Sequence, residues 1–72
     1  MTAAQIEALS WQRDDASTLV LRDRWGMELA VVRHYGSLGN WKPEWASAGK
    51  SGRADTVREA QEAAEAALLE VP

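Results

Sequence analysis

Residues 55–71 read DTVREAQEAAEAALLEV. Thr56 stands three residues ahead of Glu59, the spacing of a capping box, in which each side chain satisfies the other's free backbone N–H. Val57, Ala60, Ala64, Ala67, Leu68 and Val71 then recur at intervals of three and four and line one helical face. Arg58, Glu59, Gln61, Glu62 and Glu65 fill the remainder. Alanine is the strongest helix former, and its small side chain lets a helix backbone approach a sheet closely. Pro72 ends the run, so the spacing predicts a helix over 56–70.

The preceding half has a different period. TLVLRD (18–23) and MELAVVRHY (27–35) are rich in β-branched and apolar residues, with Arg24-Trp25-Gly26 between them as a short reversal. In the second run Leu29, Val31 and Arg33 face one way and Ala30, Val32 and His34 the other, with an apolar content that suits a central strand. YGSLGN (35–40) is a turn by composition. Beyond it Trp41, Pro43 and Trp45 share one face of an extended segment, and Pro43, lacking an N–H, predicts a sheet edge there. SAGKSGRAD (47–55) reads as a loop leading to the helix. At the N-terminus two readings stand: a short helix over 2–9 capped by Thr2 and Gln5, or a strand near 8–13 that turns at Asp14-Asp15. The strand is preferred. The expected architecture is α+β, a three- or four-stranded antiparallel β-meander with one C-terminal α-helix packed on one face, in a single small domain over residues 1–72.

Length makes such a core marginal. A chain of 72 residues buries only about 60% of the surface its unfolded state exposes, and small scaffolds compensate with disulfides, metals, association or efficient apolar side chains. Disulfides are excluded by the absence of cysteine, and His34, the only histidine, makes a zinc site untenable. Four tryptophans remain, each able to bury roughly 150–250 Å². The start MTAAQIEALS has no basic region or apolar run, and the longest apolar stretches, LAVV and AALL, fall far short of the ~20 residues that span a bilayer. A soluble cytoplasmic protein is expected, without membrane association. The net charge of −3 is uneven, because residues 10–53 sum to +2, residues 54–72 to −4, and Glu7 supplies the remaining −1.

Catalysis finds little purchase. A nucleophile needs a neighbouring base, and no serine or cysteine motif surrounds His34. Asp14, Asp15 and Asp23 could in principle form a magnesium cluster, yet Asp14-Asp15 is also ordinary turn composition, and neither GSLGN nor GKSG has phosphate-loop spacing. No catalytic residue, cofactor or metal is expected. The aromatics are better candidates, since tryptophan and tyrosine carry a disproportionate share of interface energy. Trp25, in a tight turn beside Arg24, is the sharpest case for display. Trp11 is expected in the core, whereas Trp41 and Trp45 either pack beneath the helix or join a partner surface. The candidate partner-binding set is Arg24, Trp25, Tyr35, Trp41, Lys42 and Trp45.

From Trp11 to Leu69 the chain resembles a loose class of short phage and prophage proteins. The likeness rests on a leading tryptophan, a hairpin with an ELAVV second strand, a further tryptophan strand, and a T-x-x-E-A-x-x-A-A-E-A-A-L helix. It implies a binding role, some phage proteins of this size being inhibitors of host defence systems. The chain also resembles double-stranded-RNA-binding domains, whose order is α-β-β-β-α and whose last helix matches VREAQEAAEAALLEV in alanine content. That family grips phosphates with lysines at the start of the final helix. Here Lys50, Arg53 and Arg58 are followed by Glu59, Glu62 and Glu65, which repel such a ligand. A third reading puts nucleic acid on the sheet, with Arg22, Arg24, Arg33 and Lys42 lining it and Trp25 or Trp41 stacking. Net charge disfavours both nucleic-acid readings. The expected function is a non-catalytic protein-binding module, a phage-type modulator of a host protein acting in the host cytoplasm. Self-association is expected through the Trp41–Trp45 segment or the helix face of Ala63, Ala66 and Leu69.

Overall fold

A computed structural model describes residues 1–34 and 42–70. Its elements are α1 (Ala3–Glu7), β1 (Ser10–Asp15), β2 (Thr18–Arg22), β3 (Glu28–Arg33), β4 (Glu44–Ser47), β5 (Lys50–Arg53) and α2 (Val57–Leu69). The strands form one antiparallel meander in the order β1-β2-β3-β4-β5, and α2 packs across it, mainly on β3 and β4. The fold is α+β, with the C-terminal helix where its periodicity puts it.

Register sorts the side chains between two faces. One cross-strand row runs Trp11, Leu21, Ala30, Ser47 and Lys50, and the next runs Arg13, Leu19, Val32, Trp45 and Gly52. The middle of both rows meets α2. Leu21, Ala30 and Val32 are buried there, opposite Ala60, Ala64, Ala67 and Leu68 of the helix. The alanines matter because they allow close approach, so large side chains from the sheet can fill the space between the layers. Trp11, Leu29 and Trp45 pack around this core half-buried. Thr56 caps α2 by accepting from the Glu59 N–H at 3.1 Å, a contact of about 1 kcal/mol.

Five strands replace the expected three or four. The additional strand is β5, in the stretch read as a loop. A two-residue turn, Ala48 (φ 52°) and Gly49 (φ 77°), joins it to β4. Two successive positive φ angles match the twist of a tight hairpin, so KSGR pairs with EWAS despite its poor strand composition. Pro43 therefore does not mark an edge. It precedes β4, which lies inside the sheet between β3 and β5, and its carbonyl accepts from the Ala54 N–H at 3.0 Å. The outer strands are β1 and β5.

At the N-terminus the two readings prove compatible. Thr2 and Gln5 form a complete capping box (Thr2 N–H to Gln5 Oε1 at 2.8 Å, Gln5 N–H to Thr2 Oγ1 at 3.2 Å) for a single turn that buries Ile6. The chain then enters β1, which continues through Asp14 and Asp15 to reverse at Ala16-Ser17. β3 is the central strand, but a bulge between Leu21 and Arg22 sets Glu28 opposite Arg22. Leu29 then packs against the core instead of sharing the outlook of Val31 and Arg33. Trp41 and Tyr35 lie outside the described residues, and with them the face proposed for Trp41. No helix among the described residues is long and apolar enough to cross a membrane.

Candidate protein-docking site

The β2–β3 turn carries the most exposed large apolar side chains of the described residues, Trp25 (74% exposed) and Met27 (65%). Asp23 builds that turn. Its Oδ1 accepts from the Trp25 N–H at 2.8 Å and the Met27 N–H at 3.0 Å. Its own N–H donates to the Met27 carbonyl, and its carbonyl accepts from the Gly26 N–H, both at 3.0 Å. Gly26 sits at φ 82°, a left-handed angle that a side chain disfavours. Four hydrogen bonds within five residues hold the turn, so the indole is presented by an ordered backbone. The Arg24 guanidinium lies 4.3 Å from the Trp25 ring centroid, a cation–π contact of about 0.5–1 kcal/mol at an exposed position.

Beside the indole runs a groove of about 400 Å³, walled by Met1, Gln5, Ala8 and Leu9 on one side and Asp23, Arg24 and Trp25 on the other. α1 supplies one wall. The capping box fixes its start, and the Leu9 N–H, donating to the Ile6 carbonyl at 3.0 Å, fixes its exit into β1. Sequence reasoning found Arg24 and Trp25 but missed Met27, placing it inside a strand, and missed the α1 wall. That wall meets the turn only because β1 and β2 pair with Ser10 opposite Arg22, a juxtaposition with no local signal.

The remaining candidates do not join this site. Trp45 packs on the core, with its ring over Gly52, where an added Cβ would stand 3.0 Å from the indole Nε1. Lys42 precedes β4 at the opposite end of β3 and is paired with Asp55 at 3.0 Å. Tyr35 and Trp41 are not described.

The sheet face away from α2 is apolar along the middle of one row, where Val20 is buried, and polar in the next. Its rows are Gln12, Val20, Val31, Ala46 and Ser51, then Asp15, Thr18, Arg33, Glu44 and Arg53. Over the last three strands lies a shallow basin of about 420 Å³ with Val31, Ala46 and Ser51 as floor. Arg53 pairs with Glu44 at 3.2 Å, and Arg22 is held by Asp14 at 3.4 Å and Glu28 at 3.3 Å. Arg24 and Lys42 lie off this face, and its paired positions include no aromatic residue.

The acids are spent locally. Asp15 Oδ1 accepts from the Ser17 N–H at 2.8 Å, and that bond, more than the hydroxyls of Thr18 and Ser17, holds its carboxyl below the ordinary value. Asp23 uses its Oδ1 in its own turn. Among the described residues no three metal-ligating side chains converge. His34 is half-buried, its backbone N–H donating to the Ser17 carbonyl at 2.8 Å. No protein-family model, curated protein or solved structure matches the chain.

Proposed function

We propose that this chain is a non-catalytic protein-binding module that docks through the Trp25 end of its sheet. The observation that carries the reading is a tryptophan 74% exposed on a turn held by four hydrogen bonds. Exposing an indole forgoes burial worth about 1.5–3 kcal/mol for a large apolar side chain, a substantial loss in a core this small. A buried aromatic anchor beside an arginine is the common form of an interface hot spot, and an ordered turn lowers the entropy lost on binding. The resemblance to short phage proteins supports a modulator of a host protein, acting in the host cytoplasm. The test compares proteins captured by the wild-type chain and by Trp25→Ala. Loss of a specific partner, with weakening of at least about tenfold, is expected. Capture of the same partners by both chains refutes the reading.

A second reading, nucleic acid on the open sheet face, draws on Arg22, Arg33 and Arg53 sharing that face. Glu28, Asp14 and Glu44 offset two of these charges. A gel shift with single-stranded DNA or duplex RNA that weakens steeply with salt would favour it over docking through Trp25.

A further inference from the structure

We propose that the Trp25 end closes on a second copy of this chain across a two-fold axis, each Trp25 entering the groove beside the other. The inference rests on reading this end as a protein-docking surface, and it names the occupant.

A two-fold interface uses the same patch on both subunits, so the patch must complement itself. This one carries a projecting indole and, directly beside it, a groove of about 400 Å³ with Ala8 and Leu9 in its wall. That volume is within the range of sites that enclose small ligands, enough for one indole and the neighbouring Met27 side chain. Knob and hole lie on one patch, and rotation about an axis near Trp25 brings each against its complement. Charge agrees with shape. Arg24 has no carboxylate partner among the described residues, its contact being the Trp25 ring. Asp23, in the opposite sign, lines the same groove. The two-fold operation sets Arg24 of one copy beside Asp23 of the other, giving two symmetric ion pairs at the rim.

Size fixes the strength. The patch comprises eight residues, the seven that wall the groove and Met27, against roughly 20–30 a side in a standard interface. The dimer is therefore weak and reversible, and a heterologous partner that anchors Trp25 more tightly displaces the second copy.

The test is a dilution series from about 1 mM to about 10 µM, followed by sedimentation equilibrium and amide chemical shifts. The expected result is a monomer–dimer equilibrium whose shift changes concentrate at Gln5, Ala8, Leu9, Arg24, Trp25 and Met27. Trp25→Ala removes the knob and Ala8→Arg blocks the hole from an exposed position, and each weakens dimerisation at least tenfold (about 1.4 kcal/mol). Mixing the two variants restores one knob-and-hole contact, so the mixed dimer is tighter than either homodimer. A chain that stays monomeric throughout, a dimer indifferent to both variants, or shift changes confined to β1 or β5 would overturn the proposal. A monomeric chain that still captures a partner through Trp25 overturns only the second copy, whereas loss of both behaviours overturns the docking reading as well.

Discussion

Trp45 and Trp25 are the same side chain on two kinds of backbone. Trp45 sits on an interior strand between Val32 and Gly52, with its ring against the core and the alanine face of α2 nearby. Trp25 sits at the tip of a hairpin whose hydrogen bonds are satisfied within the turn, 74% exposed, with Arg24 over its ring and the α1 groove beside it. The comparison separates two uses of one residue. In a chain without cysteine, the indoles of Trp11 and Trp45 on the helix-facing side pack against the core, and the indole in the turn stays exposed.

The comparison breaks most visibly if the two rings contribute equally to stability. Trp45→Ala is expected to cost about 3 kcal/mol, the low end for a tryptophan truncation because the ring is only half-buried. Trp25→Ala should stay within about 0.5 kcal/mol of wild type. Chemical denaturation of both variants measures the difference, and equal losses would mean that the turn is structural. Next in size is Gly52→Ala, whose Cβ would stand 3.0 Å from Trp45 Nε1 and 3.2 Å from two ring carbons. It should destabilise by about 1–2 kcal/mol and shift Trp45 emission, without touching Trp25.

Two smaller effects sharpen the contrast between turns. The Asp23 turn places glycine at its left-handed position, whereas the β4–β5 turn places Ala48 at φ 52°. Ala48→Gly should raise thermal stability by the equivalent of about 1 kcal/mol, and a loss instead would argue that the hairpin is not formed as described. The smallest effect concerns Asp15, whose folded carboxyl titrates below its ordinary value of 3.8 because the Ser17 N–H binds the charged form. A depressed folded value means a contribution present above the unfolded pKa and lost as pH falls through the folded one. Melting temperatures between about pH 2 and pH 5 should therefore fall less steeply for Asp15→Asn than for wild type. Identical slopes would show that the bond to Ser17 does not favour the carboxylate.

What the sequence reveals follows how local each cause is. α2 is legible because Thr56, Glu59 and the alanine face lie within one segment, and the β2–β3 hairpin because Arg24-Trp25-Gly26 interrupts two apolar runs. β5 is not, since KSGR has no strand composition of its own. It becomes a strand by pairing with β4, through a turn that forces alanine into an unusual angle, and Gly52 then leaves room for the Trp45 ring. The same division holds at the site. Arg24 and Trp25 announce themselves by composition, but the α1 wall and the outward turn of Met27 depend on how distant segments meet. Leu29 illustrates the point at a single residue, because one bulge changes the face that alternation assigns to it.

The division between structural and displayed indoles is tested most directly by labelling the tryptophans with a fluorinated indole and titrating a neutral quencher at low micromolar protein. At that dilution the chain is monomeric on the account given above. Assigned by substitution, the Trp25 signal should respond to quencher nearly as free tryptophan does, while those of Trp11 and Trp45 are shielded. A Trp25 signal as protected as the other two in the monomer would contradict the account.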